Sequence, residues 1–349
     1  MVRLESDGDP DPGFGGGDGI VTMDFGAAVG DYGDVATLSS GRILSAVPTS
    51  SGGDEVLGLG RFTSAGMPDP AFGGGDGKRL VSFPKPFEPY AMVVLPSGKF
   101  LVSGEYYTTG PDSRFLVARF NPNGSLDATF GGGDGFVTTQ FGPSNDGAWR
   151  MAIDTHDRIV VDGWAEEGGD ATDVFDTAVA RYLPNGAPDH DFSGDGKTVV
   201  QIQERGDDYG YGLGLQGDKI VAGVHLIGPA LQIALIRFLP NGRLDATFGG
   251  GDGEVITPPG SGGMSLQDIA IDGSSKIVVL AGTSGPEQFQ VARYLPGGKL
   301  DNSFGGDGIG ELSSFASGGA PEGITVAPNG RIVAVGSSDG EVAIARWLG

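Results

Sequence analysis

Two groupings of residues in this chain could do chemistry. The first is aspartate at alternate positions, Asp7-Gly-Asp9-Pro-Asp11 and Asp189-His-Asp191, with Asp195 just beyond. Such spacing offers the carboxylate oxygens that calcium prefers, so calcium at one or more of these loops is the one cofactor expected. A full D-x-D-x-D-G-x5-E loop is not present. His156, His190 and His225 fall at unrelated positions and there is no cysteine, which excludes a zinc or iron site and a cysteine nucleophile.

The second grouping mixes carboxylates with aromatic rings. It comprises Glu88 and Tyr90, Glu105-Tyr106-Tyr107, Asp146 and Trp149, and Asp31, Tyr32 and Asp34. Trp164 followed by Glu166, Glu167, Asp170, Asp173 and Asp176 belongs to it, as does Asp207-Asp208-Tyr209 with Tyr211. Rings beside carboxylates suit stacking on sugars or capture of a cation. The candidate ligand-binding residues are Glu105, Tyr106, Tyr107, Trp149, Trp164, Glu166, Tyr209 and Tyr211. In the alternative reading, a calcium-dependent lactonase-like hydrolase, Glu88 and Asp208 would act as acid and base. No Ser/His/Asp arrangement can be placed. Gly-rich strings that lead into a strand, and not into a helix N-terminus, do not match a phosphate-binding loop.

What positions these residues is a repeat. Phenylalanine followed by a glycine-aspartate string recurs at Phe14, Phe72, Phe130, Phe192, Phe248 and Phe304, at steps of 58, 58, 62, 56 and 56 residues. Glycine makes up 66 of 349 residues, far above the usual share of about 7%, yet 38% of residues are apolar and fall in short branched runs. Turn-rich all-β structure accounts for both. Each unit has four extended runs, in the third unit 136–141, 150–155, 158–165 and 177–183, and no window shows a sustained helical period.

The last run of each unit carries the packing logic. Leu59, Val117, Val179, Leu235, Val291 and Ile344 stand two residues before a recurring arginine. Gly60, Ala118, Ala180, Ile236, Ala292 and Ala345 stand one before it, on the opposite face. Bulky and small apolar faces on one strand predict sheets covered on both sides. The segment 2–4 and the final 346–349 fall at the same point of the cycle, which predicts a ring closed between the two ends. The expected fold is all-β, a six-bladed β-propeller of four-stranded antiparallel blades, and one domain over 1–349.

The consensus R-[FY]-x-P-N-G-x-L-D-x-x-F-G-G-G-D-G, best seen at Arg119–Gly135, resembles the bacterial delta-60 repeat family over essentially the whole chain. That resemblance implies a propeller of a secreted or surface-associated bacterial protein with no assigned activity. FSGDG at Phe192 and the degenerate first copy at 7–11 depart from the pattern.

A motif present in every unit is architecture. Asp69, Asp127, Asp189, Asp245 and Asp301 are placed for Asx-turns, and the phenylalanine for plugging the gap between blades. Arg61, Arg119, Arg181, Arg237, Arg293 and Arg346 are placed to pair with loop aspartates. Function is expected at the opposite, variable end. A net charge of −23 disfavours nucleic acid and anionic membrane as partners. No 18-residue apolar run predicts a spanning helix, and 1–20 lack a signal-peptide pattern. The expectation is a monomeric binding or scaffold module for a glycan or protein ligand, extracellular or at the cell surface, with the cytoplasm as the alternative.

Overall fold

The computed structural model describes residues 1–26, 30, 32–108, 112–166, 174–203, 206–229, 231–257, 263–283, 289–312, 319–338 and 341–348. Its strands form five four-stranded antiparallel sheets and a sixth of three strands. The fold is an all-β, six-bladed β-propeller, as the repeat predicts, and the one helical turn among the described residues is a 3-10 turn at Gly131–Gly133. The chain divides into two compact units. One comprises Met1–Gln140, Ser144–Met151 and Pro184–Ala187, the other Phe141–Pro143, Ala152–Leu183 and Pro188–Gly349.

Sheet two shows the plan. Its strands are Phe87–Val94, Phe100–Tyr107, Ser113–Phe120 and Phe136–Thr139, hydrogen-bonded in that order. One point corrects the sequence reading, which starts each sheet with the strand after the glycine loop. That strand instead finishes the preceding sheet, with Ala118 opposite Phe136 and Phe115 opposite Thr139. The reason is local. Asp127 N–H bonds to Arg119 C=O and Arg119 N–H bonds to Gly135 C=O, so the loop folds the chain straight back on the strand it has just left. These fourth strands are therefore sheet edges.

The branched residues Leu59, Val117, Val179, Leu235 and Val291 are at most 1% exposed and their small neighbours are buried too. In the first unit, Leu44, Leu57 and Leu59 of sheet one (Asp34–Thr37, Ile43–Ser51, Asp54–Phe62 and Lys78–Val81) pack with Phe87, Met92, Phe100 and Val102 of sheet two. In the second, Val221, Ile233 and Leu235 pack with Leu266, Ile269 and Val279. Ile344 departs from the pattern at 41% exposed, as do Val335 and Val342 on the same sheet.

The glycine loop is a clamp between repeats. The arginine Nε lies 2.7–2.9 Å from the Oδ2 of Asp69, Asp127, Asp189, Asp245 or Asp301. The other oxygen, Oδ1, accepts the N–H two residues on, the expected Asx-turn. Each guanidinium also lies over its own repeat's phenylalanine, at 4.4–4.9 Å from Phe14, Phe72, Phe130, Phe192, Phe248 and Phe304. Its Nη1 reaches into the next repeat, to the C=O of Pro122, Pro184, Pro240 or Pro296. The degenerate first copy keeps the device, with Arg3 Nε 2.7 Å from Asp11 Oδ2 and Phe14 fully buried.

The residue after the phenylalanine takes a left-handed conformation, with φ of +66° at Gly131 and +65° at Gly249. Ser193 occupies this position at φ +52°, where a side chain costs about 1 kcal/mol. Ser193→Gly is therefore expected to stabilise the protein by about 0.5–1 kcal/mol, since the Ser193 N–H bond to Asn241 C=O is a backbone bond that glycine keeps. A urea midpoint lowered by the substitution would contradict this.

Candidate functional site

The loop aspartates are engaged within their own loops. Asp11 and Asp189 hold Arg3 and Arg181 through Oδ2, and their Oδ1 atoms accept Gly13 and Asp191 N–H. Asp7 and Asp195 cap turns at Asp9 and Lys197. Asp191 supplies its N–H to Asp189, and His190 Nδ1 is 2.9 Å from Gly194 C=O. A divalent cation on Asp11 or Asp189 would compete with a guanidinium. Among the described residues no three acidic or histidine side chains converge as metal ligands.

Sequence reasoning missed the second cation on these carboxylates. Arg42 lies 2.9 Å from Asp69, and Lys99, Lys219 and Lys276 lie 2.7 Å from Asp127, Asp245 and Asp301. The signal was a basic residue opening the second strand of each sheet. Against burial, which opposes ionisation, the Lys99 and Lys219 bonds and the threonine hydroxyls hold Asp127 and Asp245 well below the usual carboxylate range.

The opposite ends of the sheets carry the aromatic and acidic residues. Four of their first strands share a β-bulge, where register slips between Pro89 and Ala91, Gly210 and Gly212, Leu266 and Asp268, and Pro321 and Gly323. The residues left over are Tyr90, Tyr211, Gln267 and Glu322. A bulge re-aims its side chain, so a constant frame presents a different residue in each sheet. Beside it, Asp34 Oδ2 accepts Met92 N–H at 2.7 Å and Asp268 Oδ2 accepts Ile324 N–H at 3.0 Å. Asp34 is thus a link between neighbouring sheets, not a ligand group.

In the first unit the structure brings together Glu88, Tyr90, Glu105, Tyr107, Trp149 and Tyr32. Glu88 and Glu105 are opposite each other on adjacent strands. Tyr107 OH donates to Glu88 Oε2 at 3.0 Å, and Tyr90 OH to Glu105 Oε2 at 3.5 Å. Burial pushes the Glu105 carboxyl up and Glu88 adds to this, against a bond from Ser113. Burial and the same two carboxylates push both phenols far above their usual range. Tyr90 and Trp149 lie 4.6 Å apart, with Tyr32 edge-on to both. Tyr106 is not part of this group: it faces the other side of its strand and packs on the core beside Phe136.

In the second unit Tyr209 and Tyr211 stack in parallel at 5.6 Å. Trp164 stands edge-on to both, at 5.7 and 6.2 Å, and Phe175 stacks on Tyr209 at 5.1 Å. Trp164, Tyr209 and Tyr211 are half-buried. His225, which sequence reasoning left as filler, lies 5.8 Å from Tyr211. Burial lowers it to about 4, so its imidazole is neutral at pH 7. Its Nε2 is buried with no hydrogen-bond partner, and Gln267 donates to Ser265, whose hydroxyl lies 3.5 Å from His225 Nδ1.

Several expected ligand residues turn out to be interior. Glu166 is 5% exposed, and Asp146, Asp176 and Asp208 are at most 1% exposed. Asp208 accepts Ile202 N–H, Gln203 N–H and Gln203 Nε2, which fixes a loop. Asp31, Glu167, Asp170 and Asp173 lie outside the described residues.

Four segments, 95–130, 157–192, 217–248 and 274–304, match the family model "Domain of unknown function (DUF5122) beta-propeller". No curated protein matches the sequence. Among solved structures, the chain is similar to an α-L-arabinofuranosidase of Fusarium graminearum in complex with an iminosugar inhibitor, at a TM-score of 0.53 and 10% identity, over 90% of this chain and 91% of that one. It is also similar to a catalytically inactive virginiamycin B lyase of Staphylococcus aureus with quinupristin, at a TM-score of 0.46 and 12% identity, over 92% and 96%. Identities this low speak to the fold alone. One repeat model matched four times and six antiparallel sheets built to one plan agree on a β-propeller made of repeats.

Proposed function

We propose that this propeller is a non-catalytic binding module of a bacterial surface or secreted protein, and that it takes a carbohydrate on the aromatic wall of the second unit. The observation that carries this is the parallel Tyr209–Tyr211 stack with Trp164 edge-on to both. Half-buried rings braced by one another are ordered before a ligand arrives, so little entropy is lost on binding. Flat apolar rings suit the C–H face of a sugar. Beside them stand Ser265 and Gln267, half-buried groups that can exchange hydrogen bonds with sugar hydroxyls.

A glycan array followed by calorimetry tests this. Trp164→Ala and Tyr209→Ala are each expected to weaken the ligand found by about tenfold. Binding should stay level from pH 8 to pH 5, because His225 is neutral above about 4. An array ligand whose affinity survives both substitutions would sink the carbohydrate reading and leave a protein ligand for this face.

A further inference from the structure

We propose that the cavity between sheets one and two is a second site, for a primary alkylammonium group, distinct from the aromatic wall. The cavity measures about 540 Å³, enough for a small organic ligand. Sheet one lines it with Pro48, Thr49 and Glu55, and sheet two with Phe87, Glu88 and Tyr107. No lysine or arginine is among its described lining residues, so both charges that face it are negative. Tyr107 OH fixes the Glu88 carboxylate at 3.0 Å. Prolines and an aromatic ring beside two carboxylates match a cation carried on a hydrocarbon stem, with the head on the acids and the methylenes on the rings.

A bare metal ion fits less well, because no three acidic or histidine side chains converge as metal ligands among the described residues. A neutral ligand would leave the charges uncompensated. Glu105, directly across from Glu88, is pushed up by burial and by Glu88 itself. An ammonium ion docked on Glu88 favours ionised Glu105, so at an acid pH where Glu105 is part-protonated binding should release protons. Tyr90 and Tyr107 also act on Glu105, and Glu55 acts on Tyr107.

Calorimetry of the whole chain at low ionic strength tests the site, with hexane-1,6-diamine as probe and hexane-1,6-diol as its neutral counterpart. The diamine should bind one site and the diol none. Glu88→Gln should weaken the diamine at least about tenfold, and Tyr107→Phe by a smaller factor. Glu5→Gln, an exposed acid outside the cavity, should change nothing. The binding heat should vary with the ionisation enthalpy of the buffer. Trp164→Ala should leave the diamine unaffected, so failure of either site is told apart from failure of the other. Equal binding of the diol overturns the proposal. So does full binding by both Glu88→Gln and Tyr107→Phe, or a loss with Glu5→Gln as large as with Glu88→Gln, which would mark diffuse attraction to an acidic protein.

Discussion

Replacing Arg237 by alanine is expected to cost about 3–5 kcal/mol, the loss seen when one partner of a buried ion pair is removed. Asp245 is 2% exposed and Arg237 6%. The guanidinium makes four separate contacts. Its Nε holds Asp245, its Nη1 bonds to Pro296 C=O and to Gln216 Oε1, and its Nη2 lies 3.2 Å from Thr247 Oγ1. It also lies 4.5 Å over Phe248. Lys219 remains on Asp245 at 2.7 Å, so the carboxylate is not abandoned. What goes is the link to the next repeat, which no ammonium can copy. Arg237→Lys should therefore recover less than half of the loss. If Arg237→Ala unfolded within 1 kcal/mol of the parent protein, Lys219 alone would be serving the loop.

The same carboxylates predict how acid unfolds the protein. The Lys276 and Ser303 bonds depress Asp301, and similar bonds overcome burial at Asp127 and Asp245. A depressed folded value means that the stabilisation is complete above the unfolded value, about 3.9. It is lost as pH falls below that value towards the folded one. Stability should be level near pH 6 and fall steeply below pH 4, with a shallower fall in Asp245→Asn. An equally steep fall in that variant would assign acid unfolding to other groups.

The clamp was legible because it recurs. Arginine, aspartate and phenylalanine return together in every unit, and only a shared structural task requires all three at fixed separations. The assignment of strands to sheets was not legible, since spacing does not say whether the run at Phe136 pairs with the strand before it or the one after. Nor was burial at the variable end. Glu166, Asp176 and Asp208 look like solvated loop acids in sequence, but the strands run further than the periodicity suggests, to Glu166 and from Phe175 and Asp207, and carry them inside. Tyr106 and Tyr107 differ by one residue and so face opposite ways, a choice set by register rather than by composition. The bulge that re-aims Tyr90 and Tyr211 left a faint trace, an aromatic residue near the same point of successive repeats.

The plug between repeats gives the other large effect. Phe130 is fully buried, and Phe130→Ala is expected to cost about 3–5 kcal/mol through lost burial and the cavity left behind. Gly186 of the next repeat closes over that ring: a Cβ there would sit 2.8 Å from it, and Gly186 has φ +89°. Gly186→Ala thus carries two penalties, a clash with the ring and backbone strain of about 1 kcal/mol. Only the first depends on Phe130. In the Phe130→Ala background the clash disappears, so Gly186→Ala should cost about 1 kcal/mol there and clearly more in the parent. Urea unfolding of the four proteins measures the difference. Strict additivity would mean that the two residues do not meet, and that the repeats are held by the Gly131 N–H bond to Asn185 C=O and by Arg119 alone. A positive coupling would make the phenylalanine and the glycine turn of the next repeat one interlocking pair, a reading that extends to Gly66, Gly124 and Gly298, whose added Cβ would meet Phe14, Phe72 and Phe248 in the same way.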